Sequence, residues 1–327
     1  MLSQNNENRN RFLLVLICLT LVFTGSSGLL PGFQPAANAA SEKSRSAHSA
    51  PAQLRKFAEE ASARLAGTEP FTAWAGAALV IEPLGPGTHS WLVTLTKGPK
   101  GAVKRLGYMI ISATPEGEYK LIEYGQGMNS IYGSGILEDG LSGLGLSQAG
   151  SSAAAVTPVY GGPVLAAWMI SSAAGKSETV RFVDALTGEL LPESRESWTK
   201  QSAGYVPPAS AVGSAKRGWT PGETIRRADP FDPYDNLLWI TGKDQVQLNA
   251  GNLEQAFSRQ SRFVFAATGS NRTYSVPLPV YGYQIWNLSP PSSGSASVYV
   301  LSGTDDSPRW IALDALLASG GFLVMPD

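Results

Sequence analysis

The chain contains a single cysteine, and its position restricts how the folded protein can be held together. Cys18 is the one cysteine among 327 residues, and it lies within an apolar run over residues 12–23. Two arginines precede the run, and the small-residue sequence Ala37-Asn38-Ala39 follows it. A charged stretch, an apolar stretch and an A-x-A site in this order are typical of a secretory signal peptide. We therefore predict a signal peptide over residues 1–39 that is cleaved after Ala39.

Cleavage at this site removes the cysteine and leaves few groups for covalent or metal chemistry. A chain without Cys18 has no disulfide, no thiol nucleophile and no cysteine ligand for zinc. His48 and His89 are the two histidines of the chain, and they do not have the H-x-x-x-H spacing of a catalytic zinc site. His89 lies in a predicted turn with no nucleophile motif beside it. We therefore predict a secreted, extracellular protein that is not an enzyme and carries no cofactor.

An uncleaved N-terminal membrane anchor is the alternative to a signal peptide. Residues 12–30 approach the roughly 20 apolar residues that a membrane-spanning helix needs. The glycines and serines of residues 24–28 weaken this interpretation. The protein is expected to contact a membrane only if the signal is uncleaved.

The charge of the chain excludes one class of partner. Lys and Arg together number 25, Asp and Glu 26, and the formal net charge is −1. Nucleic-acid binding draws on an excess of basic residues that neutralise phosphates. The sequence therefore predicts no nucleic-acid partner.

Composition and hydrophobic pattern predict an α+β fold in two modules. Residues 40–50 are small and polar and are expected to form a flexible lead. A helix followed by antiparallel hairpins is predicted within residues 51–193, and a second, smaller α+β module over residues 229–327. Between them, residues 194–228 are rich in Pro, Ser and Ala and are predicted to be a linker; a long loop on the surface of one domain is the alternative.

In the first module the hydrophobic period changes from helical to alternating. Leu54, Ala58 and Leu65 recur at helical spacing after Pro51, which favours a helix. The alternating segments that follow are predicted to be strands over residues 78–81, 91–96, 106–113, 119–124, 165–171 and 179–185.

In the second module we predict a strand at residues 237–241 and a helix that begins after Asn252. Asn252 is expected to cap this helix, with Gln255 in capping-box spacing. Further strands are predicted at 262–267, 274–276, 282–286 and 297–301. A short helix is predicted over residues 310–318, with Asp305 and Asp306 at its start.

Two hairpins give the chain a family resemblance. The segment Tyr160-Gly161-Gly162-Pro163, followed by Val180-Arg181-Phe182-Val183-Asp184-Ala185-Leu186-Thr187-Gly188-Glu189, resembles the PepSY-like modules of exported bacterial proteins. The segment Gly107-Tyr108-Met109-Ile110-Ile111-Ser112-Ala113 is similar to a hairpin in the propeptides of streptopain-type cysteine peptidases. The resemblance covers about residues 51–193. It implies peptidase inhibition, chaperoning or protein interaction, without the peptidase domain, because residues 229–327 contain neither Cys nor His.

The leading functional prediction is a non-catalytic protein that binds another protein. An exported peptidase or another envelope protein is the partner that the resemblance implies. Exposed edges of antiparallel hairpins are the expected binding element, since an extended segment can pair with such an edge.

Exposed aromatic residues offer an alternative, a cell-wall or carbohydrate-binding protein. Trp219, Trp286 and Trp310 neighbour turn residues, where an exposed indole ring stacks on a sugar or anchors a partner. Burial of these three side chains under a loop is the competing interpretation.

Carboxylate pairs offer a third alternative, a hydrolase that uses only carboxylates, and they also offer a calcium site. The candidates are Glu116 with Glu118, Asp229 with Asp232 and Asp235, and Asp305 with Asp306. Glycosidases need only two suitably spaced acids. Asp232 and Asp235 lie in a Pro-rich segment that offers oxygen ligands for calcium without EF-hand spacing, and an ordinary Asp-Pro turn is the alternative.

Overall fold

The structure is a computed structural model of the chain. It describes residues 50–86, 89–99, 101–146, 155–174, 177–209, 218–242, 245–267, 274, 276–289 and 296–326. The predicted signal peptide, its cleavage site and His48 lie outside the described residues. Ala50–Asp327 forms one compact unit.

The unit contains six helices and sixteen strands in its described part. The helices are α1 (Ala52–Leu65), α2 (Ser134–Gly143), α3 (Arg195–Ala203), α4 (Leu238–Thr241), α5 (Leu253–Arg259) and α6 (Leu313–Leu317), with a 3₁₀ turn at Thr72–Trp74. The first eight strands are β1 (Ala78–Pro83), β2 (Ser90–Lys97), β3 (Lys104–Ala113), β4 (Tyr119–Gln126), β5 (Ala155–Tyr160), β6 (Ala166–Ala174), β7 (Ser177–Asp184) and β8 (Leu190–Leu191). The others are β9 (Gly218–Arg226), β10 (Gln245–Val246), β11 (Phe263–Ala267), β12 (Pro277–Val280), β13 (Gly282–Ser289), β14 (Ala296–Gly303), β15 (Pro308–Ala312) and β16 (Gly320–Val324). The predicted α+β class is confirmed.

These strands form three antiparallel sheets. Sheet A has the order β1-β2-β3-β4-β15-β14-β13-β9. Sheet B has the order β5-β6-β7-β8, and sheet C the order β10-β16-β11-β12. Hairpins account for most neighbours within sheet A, but the β4–β15 pair joins segments that are far apart in the chain, with Trp310 opposite Tyr124.

The β4–β15 pair changes the predicted domain organisation. Strands β1–β4 come from the predicted first module, whereas β13–β15 come from the predicted second module, and all of them belong to sheet A. The predicted linker 194–228 contributes α3 and the edge strand β9. Residues 194–228 therefore do not separate two independent modules, because their hydrogen bonds and their buried Trp198 and Trp219 belong to the folded unit.

One face of sheet A packs on α1. The residues of α1 that recur at helical spacing, Leu54, Ala58 and Leu65, are fully buried against this face. Helix α1 contacts the two edge strands β1 and β9 as well as the central strand β4. The predicted helix is thus confirmed, and its apolar stripe fills the core on this side of sheet A.

The opposite face of sheet A packs on sheet C. Val298, Val300 and Ile311 project from this face into a second core cluster with Phe265 and Phe322. Alternation along β14 and β15 explains why neighbouring residues enter different cores. Sheet B has its own cluster, in which Phe182 stacks on Trp198 with ring centroids 4.8 Å apart.

Three predicted elements of the C-terminal part were wrong. The strand predicted at residues 274–276 begins only at Pro277, as β12. Residues 238–241 of the predicted strand form helix α4, since only Trp239 is buried there while Leu238 and Ile240 are exposed. Residues 310–312 belong to strand β15, and the helix begins only at Leu313. The Asp305–Asp306 segment accordingly forms the turn between β14 and β15.

Within the described residues, no helix is both long enough and apolar enough to cross a membrane.

Candidate functional site

A groove of about 790 Å³ opens between sheet B and sheet C. Leu190 and Leu191 of β8 line one side, and Leu278 of β12 lines the other. The floor is formed by the end of β14 and the start of β15, where Ser302 and Arg309 face each other in the strand register. The groove therefore lies where all three sheets meet.

The sheet B wall depends on a tight turn after β7. The Asp184 carboxylate accepts hydrogen bonds from the N–H groups of Leu186 at 2.7 Å and Thr187 at 2.8 Å. Gly188 follows with φ +76°, a left-handed conformation that glycine adopts without steric cost. The turn directs the chain into β8, so that Leu190 and Leu191 line the groove.

A proline-rich segment over residues 230–235 completes the rim. The Asp232 carboxylate accepts a hydrogen bond from the N–H of Tyr234 at 2.9 Å. The buried indole of Trp239 donates to the carbonyl oxygen of Pro233 at 2.7 Å. These two bonds fix the backbone of the segment and leave the Tyr234 side chain 63% exposed at the groove.

A buried ion pair forms the polar part of the floor. Arg309 Nε and Nη2 donate to the two carboxylate oxygens of Glu123, each at 2.9 Å. Arg309 Nη2 also donates to the carbonyl oxygen of Pro163 at 3.2 Å, and Tyr108 donates its hydroxyl hydrogen to Glu123. The two charges therefore neutralise each other in a bidentate geometry.

The surroundings of this pair explain the pKa values of its members. Burial alone disfavours the charged guanidinium, but Glu123 outweighs burial and the pKa of Arg309 lies above its ordinary value. Burial, aided by the negative charge of Glu123, raises the pKa of the Tyr108 phenol well above its ordinary value. Arg309 thus stays charged, and Tyr108 stays neutral as a hydrogen-bond donor.

The rim of the groove is acidic. Four carboxylates line it, and among the described lining residues the only cation is Arg309, which Glu123 neutralises. The four acidic residues are Asp184, Glu189, Asp232 and Asp235. The remaining lining is largely aliphatic or proline, so the groove offers apolar contact together with a negative potential.

The carboxylates of the three candidate groups from the sequence have structural partners or lie in turns. Arg226 donates from Nη2 to Asp229 at 3.0 Å and from Nη1 to Asp305 at 2.8 Å, which ties two of the predicted clusters together. In the part of the chain that the structure describes, no group of three or more His, Cys, Asp or Glu side chains could hold a metal ion. Asp232 and Asp235 line the rim of the groove.

The three predicted aromatic binding residues are buried. Trp219 and Trp310 are 2% exposed and Trp286 is fully buried, so none of them presents a ring to a sugar or a partner. Trp310 stacks on Tyr124 with an interplanar angle of 3°, and Trp286 Nε1 donates to the Tyr124 hydroxyl at 3.0 Å. All three point to the α1 side of sheet A, and the competing interpretation of burial is the correct one.

Sequence reasoning did not single out Arg309, Ser302 or the groove. Arg309 precedes the predicted helix 310–318, whereas in the structure it lies in β15. Its ion-pair partner Glu123 lies in β4, which is remote in sequence. One signal was available: Pro277 and Pro279 alternate with Leu278 and Val280, which is typical of a sheet edge.

No family model matches the chain, and no curated protein or solved structure is significantly similar to it.

Proposed function

We propose that the protein is an exported, non-catalytic protein whose groove binds an extended segment of another protein that carries apolar and basic side chains. The observation that carries this proposal is the combination of an apolar lining with four rim carboxylates, with no uncompensated cation among the lining residues that the structure describes. Such a groove stabilises apolar side chains by burial and Lys or Arg side chains by charge complementarity.

Further exposed apolar side chains follow the groove-lining segment 230–235 in the chain, which favours a segment over a compact ligand. Tyr234 lines the groove and is exposed, and the adjoining helix α4 presents further exposed apolar side chains. Those of Leu237, Leu238 and Ile240 are 51%, 62% and 58% exposed. Several exposed apolar side chains close together in the chain are a feature of protein interaction sites.

The β12 edge of sheet C is less suited to strand addition than the sequence predicts. In the antiparallel β11–β12 pair, Phe265 lies opposite Leu278 and Phe263 lies opposite Val280. The alternate positions of β12, 277 and 279, are prolines. Antiparallel partners exchange hydrogen bonds at alternate positions, so the prolines occupy the positions that face away from β11. Because proline has no N–H group, the free edge of β12 can offer a bound segment only side-chain contacts and carbonyl oxygens.

An exported peptidase is the partner class that the family resemblance implies, and it stays part of the proposal. A basic, apolar segment of such an enzyme would meet the requirements of the groove. Export itself is proposed from the N-terminal pattern. Protein recovered from the culture medium should begin at Ala40 by N-terminal sequencing; recovery only in the membrane fraction with Met1 retained would instead support the anchor.

Binding is tested with two extended peptides of about ten residues, roughly 33 Å long. Both have the same alternating Leu and Ser core; one carries Lys residues at its ends and the other Glu residues. We expect residues 40–327 to bind the Lys peptide about tenfold more tightly at low ionic strength, a difference that decreases as salt screens the charges.

A pair of variants locates the binding. Leu190→Lys introduces a positive charge at an exposed position that lines the groove, and Val103→Lys does the same at an equally exposed position outside it. The first variant should lose binding and the second should retain it. Equal affinity of both variants, or equal affinity for the Lys and Glu peptides, would refute the proposed groove specificity.

A further inference from the structure

One guanidinium nitrogen of Arg309, Nη1, forms no hydrogen bond with the described part of the chain. Its Nε and Nη2 are occupied by Glu123 and by the carbonyl oxygen of Pro163. No described residue forms a hydrogen bond with Nη1. Arg309 is 2% exposed, and it lines the groove, so its small accessible surface lies at the groove floor.

A second polar group without a partner lies beside it. Ser302 is directly opposite Arg309 across the β14–β15 pair, and opposite residues in an antiparallel pair have Cβ atoms about 5 Å apart on the same face. Ser302 is 1% exposed, and within the described structure its Oγ has no hydrogen-bond partner. Buried polar groups are normally hydrogen-bonded, so two incompletely bonded groups side by side in a groove point to a polar atom of a ligand.

The charges around Arg309 and Ser302 determine which kind of ligand atom can bind beside them. Arg309 is neutralised by Glu123, and the rim carries four carboxylates, so an anionic ligand group would find repulsion and no free positive charge. An uncharged hydrogen-bond acceptor is not repelled by the carboxylates and does not need a free positive charge. A hydrogen bond from a guanidinium in a groove with few competing waters is stronger than the same bond in water.

We propose that Arg309 Nη1 donates a hydrogen bond to a main-chain carbonyl oxygen of the bound segment. This inference rests on the proposed function and adds the residue that fixes the position of the segment's main chain. Because Glu123 and Pro163 hold the guanidinium rigidly, the donor is oriented before the segment arrives, and little side-chain freedom is lost on binding. The apolar lining and the acidic rim then select side chains, whereas Arg309 selects an extended backbone that brings a carbonyl group to the floor.

Backbone ester substitution tests this contact. In a series based on the Lys peptide, one amide at a time is replaced by an ester, whose carbonyl oxygen is a weaker acceptor. One or two adjacent positions should weaken binding to the wild-type protein by about tenfold, the range of a charge-assisted hydrogen bond. The same esters should have no such effect on the Glu123→Leu/Arg309→Met variant, which removes both charges together.

Arg309→Lys serves as a second variant if the double variant does not fold. It keeps the positive charge beside Glu123 but has no group equivalent to Nη1, and it should also lose sensitivity to the ester. Uniform affinity of the wild-type protein for all esters, or an ester effect that persists in the variants, would overturn the role of Arg309 while leaving groove binding intact. Failure of the parent Lys peptide to bind would instead refute the proposed function.

Discussion

At the residue scale, the environment of a side chain in this protein is decided by partners that are remote in sequence. Trp310 follows a run of turn-forming residues, yet its ring is buried because β15 pairs with β4 and brings Tyr124 against it. The predicted role of Asn252 was also wrong, although the contacts of its side chain are local. Its side chain bonds to the backbone of Asn249 and Gln247 and makes no capping bond to α5, so the predicted capping box is absent.

The ion pair of Glu123 and Arg309 gives a prediction about stability. Glu123→Leu leaves an uncompensated buried guanidinium and should lower the free energy of unfolding by about 3–5 kcal/mol. Replacing both residues, in Glu123→Leu/Arg309→Met, removes the uncompensated charge and should restore most of this loss. Urea unfolding followed by circular dichroism measures both values, and a double variant less stable than Glu123→Leu would contradict the account of the pair.

Buried tyrosines predict how stability depends on alkaline pH. Five phenols have pKa values well above the ordinary value, and burial is the largest cause in each. They are Tyr108, Tyr124, Tyr132, Tyr160 and Tyr299. Because their folded-state pKa values exceed the unfolded value of about 10, their contribution to stability is complete below pH 10 and decreases above it.

The measurement for the tyrosines is absorbance of tyrosinate, followed together with far-ultraviolet circular dichroism during alkaline titration. The chain has eleven tyrosines. We expect the five buried phenols to ionise together with unfolding, in one steep step above pH 10. Their ionisation in a native fold, before any loss of secondary structure, would show that these side chains are not buried as described.

At the element scale, segments whose periodicity is supported by local partners were predicted well. Helix α1, the hairpin β3–β4 and the hairpin β6–β7 all match the hydrophobic pattern, because their stabilising contacts are close in sequence or depend on one amphipathic face. Helix α4 and strand β15 were not predicted. Both are short, and the residues that determine their conformation are Val264 and Met325 for α4 and the neighbouring strands for β15.

The proline-containing edge of sheet C gives a prediction about self-association. Pro277→Thr/Pro279→Thr restores two N–H groups on the free side of β12, and an unprotected edge strand pairs readily with another chain. The variant should self-associate at concentrations where the wild-type protein is monodisperse, as measured by analytical ultracentrifugation. Pro208→Thr, outside the strands, is the control and should behave like the wild type; identical behaviour of all three proteins would remove the protective role of the prolines.

At the scale of the whole molecule, sheet A unites the two halves of the chain. The sequence indicated the α+β class, since helical and alternating periods are both evident, but it did not reveal that β4 and β15 are neighbours. No local pattern specifies which strand edges join across such a separation. The groove could not be predicted for the same reason, because its walls and floor come from three sheets whose arrangement depends on that pairing.

The shared sheet predicts cooperative unfolding. Residues 40–327 should unfold in one transition, with equal calorimetric and van't Hoff enthalpies. A fragment that ends at residue 193 should not fold stably, because it lacks β15 and leaves β4 as an open edge above an incomplete core. Two separate transitions, or a folded fragment with native circular dichroism, would support independent modules instead.

The central claim is that the groove between sheets B and C binds an extended, apolar and basic protein segment. Its most direct test is to place a benzophenone photo-crosslinker in the core of the Lys peptide, irradiate the complex with residues 40–327, and locate the adducts by mass spectrometry. The account predicts adducts within residues 186–192, 230–235 and 276–279, which the Glu peptide does not compete away. Adducts distributed over the surface, or concentrated at another site such as the region of Val103, would contradict it.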